Sequence, residues 1–570
     1  MKYSELVKML EEVVGIPIFA VLGKLKDNLI FLATTEGEVN ISALTSGKVA
    51  KLTKSPIASS ARPKSNSDFI PFVRDVERGK EIHAIYTVNL KGEEFEVFSP
   101  NLRVTSLAYD GKRIAFTGSS QTETSLYLIE GDGKVHKLFK IPPFSFVTDI
   151  NDKWITGFGV LKGNPRSQEF FLADLNGNIE ILTPKDGSFT YAYYLMGNKV
   201  YLISDFENPG ESFWIYIYNI EGKTYDKVQF PFKDIYGYNP VELYYDPEDS
   251  LIIAKKDGES KLFDNGKLVN TPRGTISGAT KLGNYIFFSH SSLTSPYKVY
   301  RLNSEGKIEV VVNNKDLGIG EAEFIKLKSD NIEVPTWVIK SKTPGITVIY
   351  VHGGPWGEVD NSWNLLISPL ILAGYNIIAP NFRGSTGYGS KFMFMDIGDP
   401  GGGDLRDVIK ARDYAIESGI ATKVGIMGYS YGGYMTLLAV GKEAEKWDFG
   451  IAGASVADWV EMYDLSDSMF KEFMRILFNG KNKELMKERS PITYVKNVKV
   501  PLCIIHSQND SRTPLSPVMR YVQELHKEGK SFELHVILNL GHAIYKISDA
   551  IDILLPALIF LKKLESQWTV

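Results

Sequence analysis

A chain of 570 residues is too long for one hydrophobic core and implies at least two domains. Hydrophobic residues at 44% and charged residues at 23% exclude broad disorder. A formal net charge of -4 offers no basic surface for nucleic acid or an anionic membrane.

Residues 1–20 read as a short N-terminal helix. Leu6, Val7, Leu10, Val13 and Val14 recur at helical spacing, with Ser4 as a cap, and the apolar face is expected to pack on a domain. Acidic residues interrupt this stretch, and it lacks the basic start and apolar middle of a signal peptide. No apolar run of about 18 residues follows anywhere, so no membrane span is expected.

From 21 to 320 one theme repeats. A short apolar strand is followed by a polar loop and a hairpin with Gly, Asn or Asp at its tip. Strands are expected to start at 28–32, 69–73, 113–116, 154–157, 199–202, 251–254 and 285–288. The period is near that of a four-stranded propeller blade, roughly 40 residues. The expectation is an all-β propeller, seven-bladed, with a β-sandwich pair or β-helix as the alternative.

From 321 to 570 the pattern changes. Apolar strands at 347–351, 377–379, 424–427, 451–454, 502–505 and 534–538 alternate with helical stretches at 404–417, 431–440 and 516–526. That alternation predicts a doubly wound, mainly parallel sheet, an α/β-hydrolase domain.

Gly428-Tyr429-Ser430-Tyr431-Gly432 lies between a strand and a helix, the setting a nucleophile elbow needs. Ser430 is the expected nucleophile. His352-Gly353-Gly354-Pro355 follows the first strand of the same domain, and such a turn supplies an oxyanion donor. The backbone N–H groups of Gly354 and Tyr431 are the expected pair, each stabilising the tetrahedral oxyanion by roughly 3 kcal/mol. The His352 ring is expected to shape the loop only.

Acid and base follow the serine in this fold. His526 lies in a charged helix, and His506 and His535 lie in strands, whereas His542 sits in a Gly-His loop past the last strand. Asp510 ends a loop after a strand, where catalytic groups of open α/β sheets gather. Asp458, Asp464 and Asp467 fall in a helical, lid-like stretch and read as solvated or capping. Ser430, His542 and Asp510 thus compose a triad that would act through an acyl-enzyme. The single cysteine, Cys503, precludes an intrachain disulfide and reads as a core thiol in a cytoplasmic protein. No metal or other cofactor is expected.

These motifs resemble the prolyl oligopeptidase family of serine peptidases, in its acylaminoacyl peptidase branch and its archaeal type. The resemblance runs through Val351-His-Gly-Gly-Pro-Trp356, Arg383-Gly-Ser-Thr-Gly-Tyr-Gly389, Gly428-Tyr-Ser-Tyr-Gly-Gly-Tyr434, Ser507-Gln-Asn-Asp-Ser-Arg512 and Gly541-His-Ala543. It implies release of an N-acylated amino acid from short blocked peptides, with accompanying esterase activity. It also implies a propeller that screens out large substrates, an N-terminal helix on the hydrolase domain, and a homo-oligomer, dimer or larger. By the same resemblance an apolar acyl-side pocket comprises Trp356, Val456, Trp459, Phe470 and Phe473. Arg512 would meet the substrate carbonyl or a propeller acid, with Glu81 as candidate. Dipeptidyl peptidases of the family hold a free N-terminus with paired glutamates on a propeller insertion. Glu11-Glu12 and Glu93-Glu94 lack that setting, so dipeptidyl release is the less favoured reading, beside an oligopeptidase. A carboxylesterase and an inert scaffold are the other rivals.

Overall fold

The computed structural model describes residues 2–45, 47–229, 241–341 and 345–568. The first helix spans Tyr3–Val14, and its stripe of Leu6, Leu10, Val13 and Val14 is buried in a cluster with Leu554, Leu558 and Leu561 of the C-terminal helix Ile547–Trp568. Ser4 is not its cap. Lys2 holds the N-cap position, and its backbone N–H donates to the Glu5 carboxylate at 2.8 Å. Ser4 lies inside the first turn, and Glu5 places an acid where the helix dipole favours one.

Strands then build seven antiparallel blades, at 19–51, 59–102, 103–141, 145–182, 190–227, 242–269 and 275–312. No helix interrupts them among the described residues. The expected strands appear at all seven places, the third beginning at Ile114. One feature was not legible in the repeat. The 16-residue strand Glu94–Tyr109 pairs with His83–Asn89 over its first part and with Ile114–Ser119 over its second. It therefore serves two blades, and Arg103 sits where it passes from one to the next. Blades one and seven each consist of their own consecutive strands, and apolar packing closes the ring. Phe19, Val21 and Phe31 share a buried cluster with Phe287 and Val299.

The hydrolase domain opens with a hairpin, Ala322–Ser329 and Ile332–Ile339, that the sequence pattern did not disclose. Its alternation is that of the propeller strands before it. The hairpin is the antiparallel edge of an eight-stranded sheet. The next strands in space are Asn376–Pro380, Gly345–Val351, Ala421–Tyr429, Phe449–Gly453, Leu502–Ser507 and Phe532–Ile537, all parallel to one another. Helices Gly403–Glu417, Tyr431–Lys442 and Leu515–Lys527 lie near their expected bounds. Cys503 is fully buried within the sheet, and burial pushes its thiol pKa up.

The propeller touches the C-terminal ends of this sheet directly. Val39 N–H donates to Tyr545 O at 2.8 Å, and Ile547 N–H donates to Gly37 O at 2.9 Å. A turn of the first blade thus grips the segment after the last strand. No helix among the described residues is long and apolar enough to cross a membrane.

Candidate active site

Ser430 stands between the strand Ala421–Tyr429 and the helix Tyr431–Lys442, with φ 61° and ψ −119°. A serine at positive φ is strained, and it persists only where the surroundings enforce it. Two glycines do so. A Cβ on Gly428 would lie 2.6 Å from Gly432 Cα, and one on Gly432 would lie 2.8 Å from the Val351 carbonyl carbon. Strand and helix can therefore close around the turn only without side chains there.

Three loops from separate strands meet at this point. His542 Nε2 lies 3.0 Å from Ser430 Oγ, and His542 Nδ1 lies 2.7 Å from Asp510 Oδ2. Asp510 is further anchored by the backbone N–H groups of Arg512 at 3.0 Å and Thr513 at 2.8 Å, and by the Thr513 hydroxyl at 2.9 Å. Burial raises the Asp510 carboxyl, but the adjoining His542 and these donors outweigh it, leaving the pKa below the usual carboxylate range. The Tyr429 hydroxyl donates to the His542 carbonyl at 2.8 Å and steadies the histidine loop from below.

The other candidates lie elsewhere. His506 is buried on its strand with Nε2 2.7 Å from Thr513 O, His535 is on the last strand, and His526 is exposed on a helix. Asp458 and Asp467 cap the helices Trp459–Leu465 and Ser468–Leu477, and Asp464 is exposed.

Beside Ser430 runs the His352–Pro355 turn, and a Cβ on Gly353 would stand 3.4 Å from Ser430 Cβ. The His352 ring stacks on Phe382 with centroids 4.3 Å apart, and its Nδ1 lies 2.7 Å from Gly353 O. Burial lowers its pKa to about 4, so it is neutral and locks the turn. Gly354 is exposed on this turn, and Tyr431 N–H begins the helix after Ser430. The Tyr431 hydroxyl donates to the buried Asp404, whose pKa is raised by burial to about 6.

The five pocket residues do not form one lining. Trp356, Phe473 and Phe470 form a chain of edge-on rings, with centroids 5.5 Å and 6.0 Å apart. Trp459 is 1% exposed and packs on Tyr431, Tyr434 and Phe478, and Val456 is buried in the same core cluster. Two propeller residues complete the open side. Phe144 packs on Trp356 at 6.0 Å and on Phe473 at 6.4 Å, and the Arg103 guanidinium lies 5.0 Å over the Phe470 ring. Sequence reasoning missed both. Each lies in a repeat far along the chain from the triad, with no motif around it.

Arg512 does meet Glu81. Its Nε donates to both carboxylate oxygens of Glu81, at 3.0 and 2.9 Å. Arg103 also pairs with Glu81, and its Nε reaches Asp467 at 2.7 Å. Burial would raise the Glu81 carboxyl, but the two guanidiniums hold it well below its ordinary range. Two cations and two carboxylates thus form a paired cluster between the propeller and the loop that bears Asp510.

Residues 361–566 match the model of the prolyl oligopeptidase family, and residues 30–300 match that of the acylamino-acid-releasing enzyme-like N-terminal domain. The uncharacterized peptidase YuxL of Bacillus subtilis is 30% identical over 223 residues, 37% of this chain and 34% of that protein. The acylamino-acid-releasing enzyme of Rattus norvegicus is 27% identical over 230 residues, 39% of this chain and 31% of that protein. The chain spans about a third of the length of the curated relatives it matches. Among solved structures, the acylaminoacyl peptidase of Pyrococcus horikoshii superposes with a TM-score of 0.68 at 20% identity, covering 94% of this chain and 93% of that one. At that identity the likeness speaks for the fold alone. With an acylamino-acid-releasing-enzyme-like propeller ahead of a hydrolase domain of this type, the chain belongs to the prolyl oligopeptidase family, in its acylaminoacyl peptidase branch.

Proposed function

We propose that the chain is a serine peptidase that removes an N-acylated amino acid from short blocked peptides. The observation that carries this reading is the relay Ser430–His542–Asp510, at 3.0 and 2.7 Å, opening beside an aromatic pocket roofed by the propeller. His542 takes the Ser430 proton as Oγ attacks the carbonyl, and Asp510 holds the ring in the tautomer that accepts it. The oxyanion forms beside the N–H groups of Gly354 and Tyr431. His542 protonates the departing amine, and water then cleaves the acyl-enzyme by the reverse sequence.

Preference for a blocked N-terminus rests on charge. Glu81 and Asp467, two carboxylates beside the pocket, are engaged by Arg103 and Arg512, and a free ammonium would have to compete with both. A third, Asp396, accepts from Trp356 Nε1 at 3.3 Å and is fully buried, which pushes its carboxyl pKa well up, away from the charged form. Glu11 lies on the N-terminal helix, and Glu94 is held by Arg74 on the second blade. An acylated amine enters without that competition.

A fluorophosphonate probe should label Ser430, and acetyl-phenylalanine p-nitroanilide should be cleaved far faster than unblocked phenylalanine p-nitroanilide. An unlabelled Ser430 would remove the hydrolase reading. Fast cleavage of acetyl-phenylalanine esters with no amide cleavage would turn it into a carboxylesterase.

A further inference from the structure

A continuous file of aromatic rings leaves the acyl-side pocket and runs along the inner edge of the propeller. It starts at Phe144, which touches Trp356 and Phe473. From there Phe146, Phe158, Tyr191, Tyr193 and Tyr244 follow, with successive centroids 5.4, 5.4, 5.4, 6.2 and 6.1 Å apart. Phe146, Tyr191, Tyr193 and Tyr244 lie on the innermost strands of blades four, five and six. On those strands they are half-buried or exposed, whereas the alternating residues Val147, Ala192 and Leu243 are buried between blades. The corresponding positions on blade one are Ala20, Leu22 and Lys24, none of them aromatic.

Beyond Tyr191 the file borders a cavity of about 290 Å³, lined by Phe189, Phe213, Tyr244, Thr386 and Met393. Two charged residues at its rim are already engaged. Glu242 accepts from Gly387 N–H at 2.7 Å, and Lys255 pairs with Glu358 and with Asp360. A surface of this kind rewards apolar area and offers little to a charged or strongly polar group.

We infer that this wall is a subsite for the N-acyl group, and that it favours long-chain or aromatic acyl groups over acetyl. The inference rests on the acyl-peptidase reading above and specifies its substrate class. The occupant follows from continuity: the wall begins at the ring that roofs the pocket for the residue next to the scissile bond. The part of the substrate attached to that residue's nitrogen is then the part that extends along it.

The test compares phenylalanine p-nitroanilides carrying acetyl, hexanoyl, decanoyl and benzyloxycarbonyl groups. In the native chain kcat/KM should rise about tenfold or more from acetyl to decanoyl, mainly through a lower KM. Tyr244→Ala and Tyr191→Ala should each remove most of that rise and leave the acetyl substrate unchanged within about twofold. Tyr244 is 37% exposed, so its truncation leaves no core cavity and keeps the comparison valid if Tyr191→Ala fails to fold. A flat response to acyl length, or a variant that loses both substrates equally, would overturn the inference. So would a dependence on leaving-group size in place of acyl size. Release of no p-nitroaniline from any of the four defeats the peptidase reading itself, a distinct outcome.

Discussion

Gly79, in a turn of the second blade, and Gly541, next to His542, touch backbone to backbone across the domain boundary. A Cβ on either residue would lie 2.6 Å from the Cα of the other. Asn509 Nδ2 donates to Arg78 O at 2.9 Å beside them, so the propeller turn also holds the loop before Asp510. The propeller is thereby part of the mould for the triad.

Gly79→Ala should therefore lower kcat while the protein stays folded. Its φ of 89° already disfavours a side chain, and the methyl group must displace the histidine loop. A displacement near 1 Å in a catalytic group costs about 10²-fold in rate. Steady-state kinetics beside a thermal melt would check this, and a kcat within a factor of about two of the native value would refute it.

Ser430→Ala and His542→Ala should each reduce kcat by about 10⁶-fold, and the double variant should be no worse, because the residues act as one unit. Asp510→Asn should lose about 10⁴-fold, since it presents the wrong donor to His542. Multiplicative losses in the double variant would contradict a shared relay.

Glu81→Gln should destabilise the fold by about 3 kcal/mol at neutral pH, because it removes the counter-charge of Arg512 and leaves the buried Arg103 with Asp467 alone. The folded Glu81 carboxyl is depressed, so its contribution is present above the ordinary glutamate pKa of 4.5 and fades as pH falls below it. Denaturant melts of both proteins should thus converge toward low pH. A constant difference across the range would exclude the ion pair as the cause.

Asp404 works in the opposite sense. Its folded pKa is raised from 3.8 to about 6, so between those values the folded chain keeps a proton that the unfolded chain has released. Unfolding free energy should fall as pH climbs through that window, by about 3 kcal/mol for one group. Asp404→Asn should lack that slope in melts at pH 4, 5 and 7. Parallel curves for the two proteins would disprove it.

The convergence of Ser430, Asp510 and His542 was readable because each closes a strand-then-loop unit with glycine or a tight turn beside it. Local pattern suffices when the sheet itself orders the loops. Arg103, Phe144 and Thr513 were not readable. Arg103 and Phe144 reach the site only through the docking of one domain on another, which no short-range periodicity encodes. Trp459 and Val456 show the converse. Their apolar character suits a pocket and a core alike, and packing in one cluster with Tyr434 and Phe478 placed them in the core. The shared strand Glu94–Tyr109 escaped notice because a break between blades leaves a turn signal only when the chain turns.

The helix Tyr3–Val14 lies against the helix Ile547–Trp568, and the whole propeller is threaded between them. During synthesis the earlier helix must wait, its apolar stripe uncovered, until the later one emerges. The propeller, with contacts mostly between neighbouring blades, can assemble in the meantime. Maturation of the hydrolase half is thus a late event, complete only once these two helices have met.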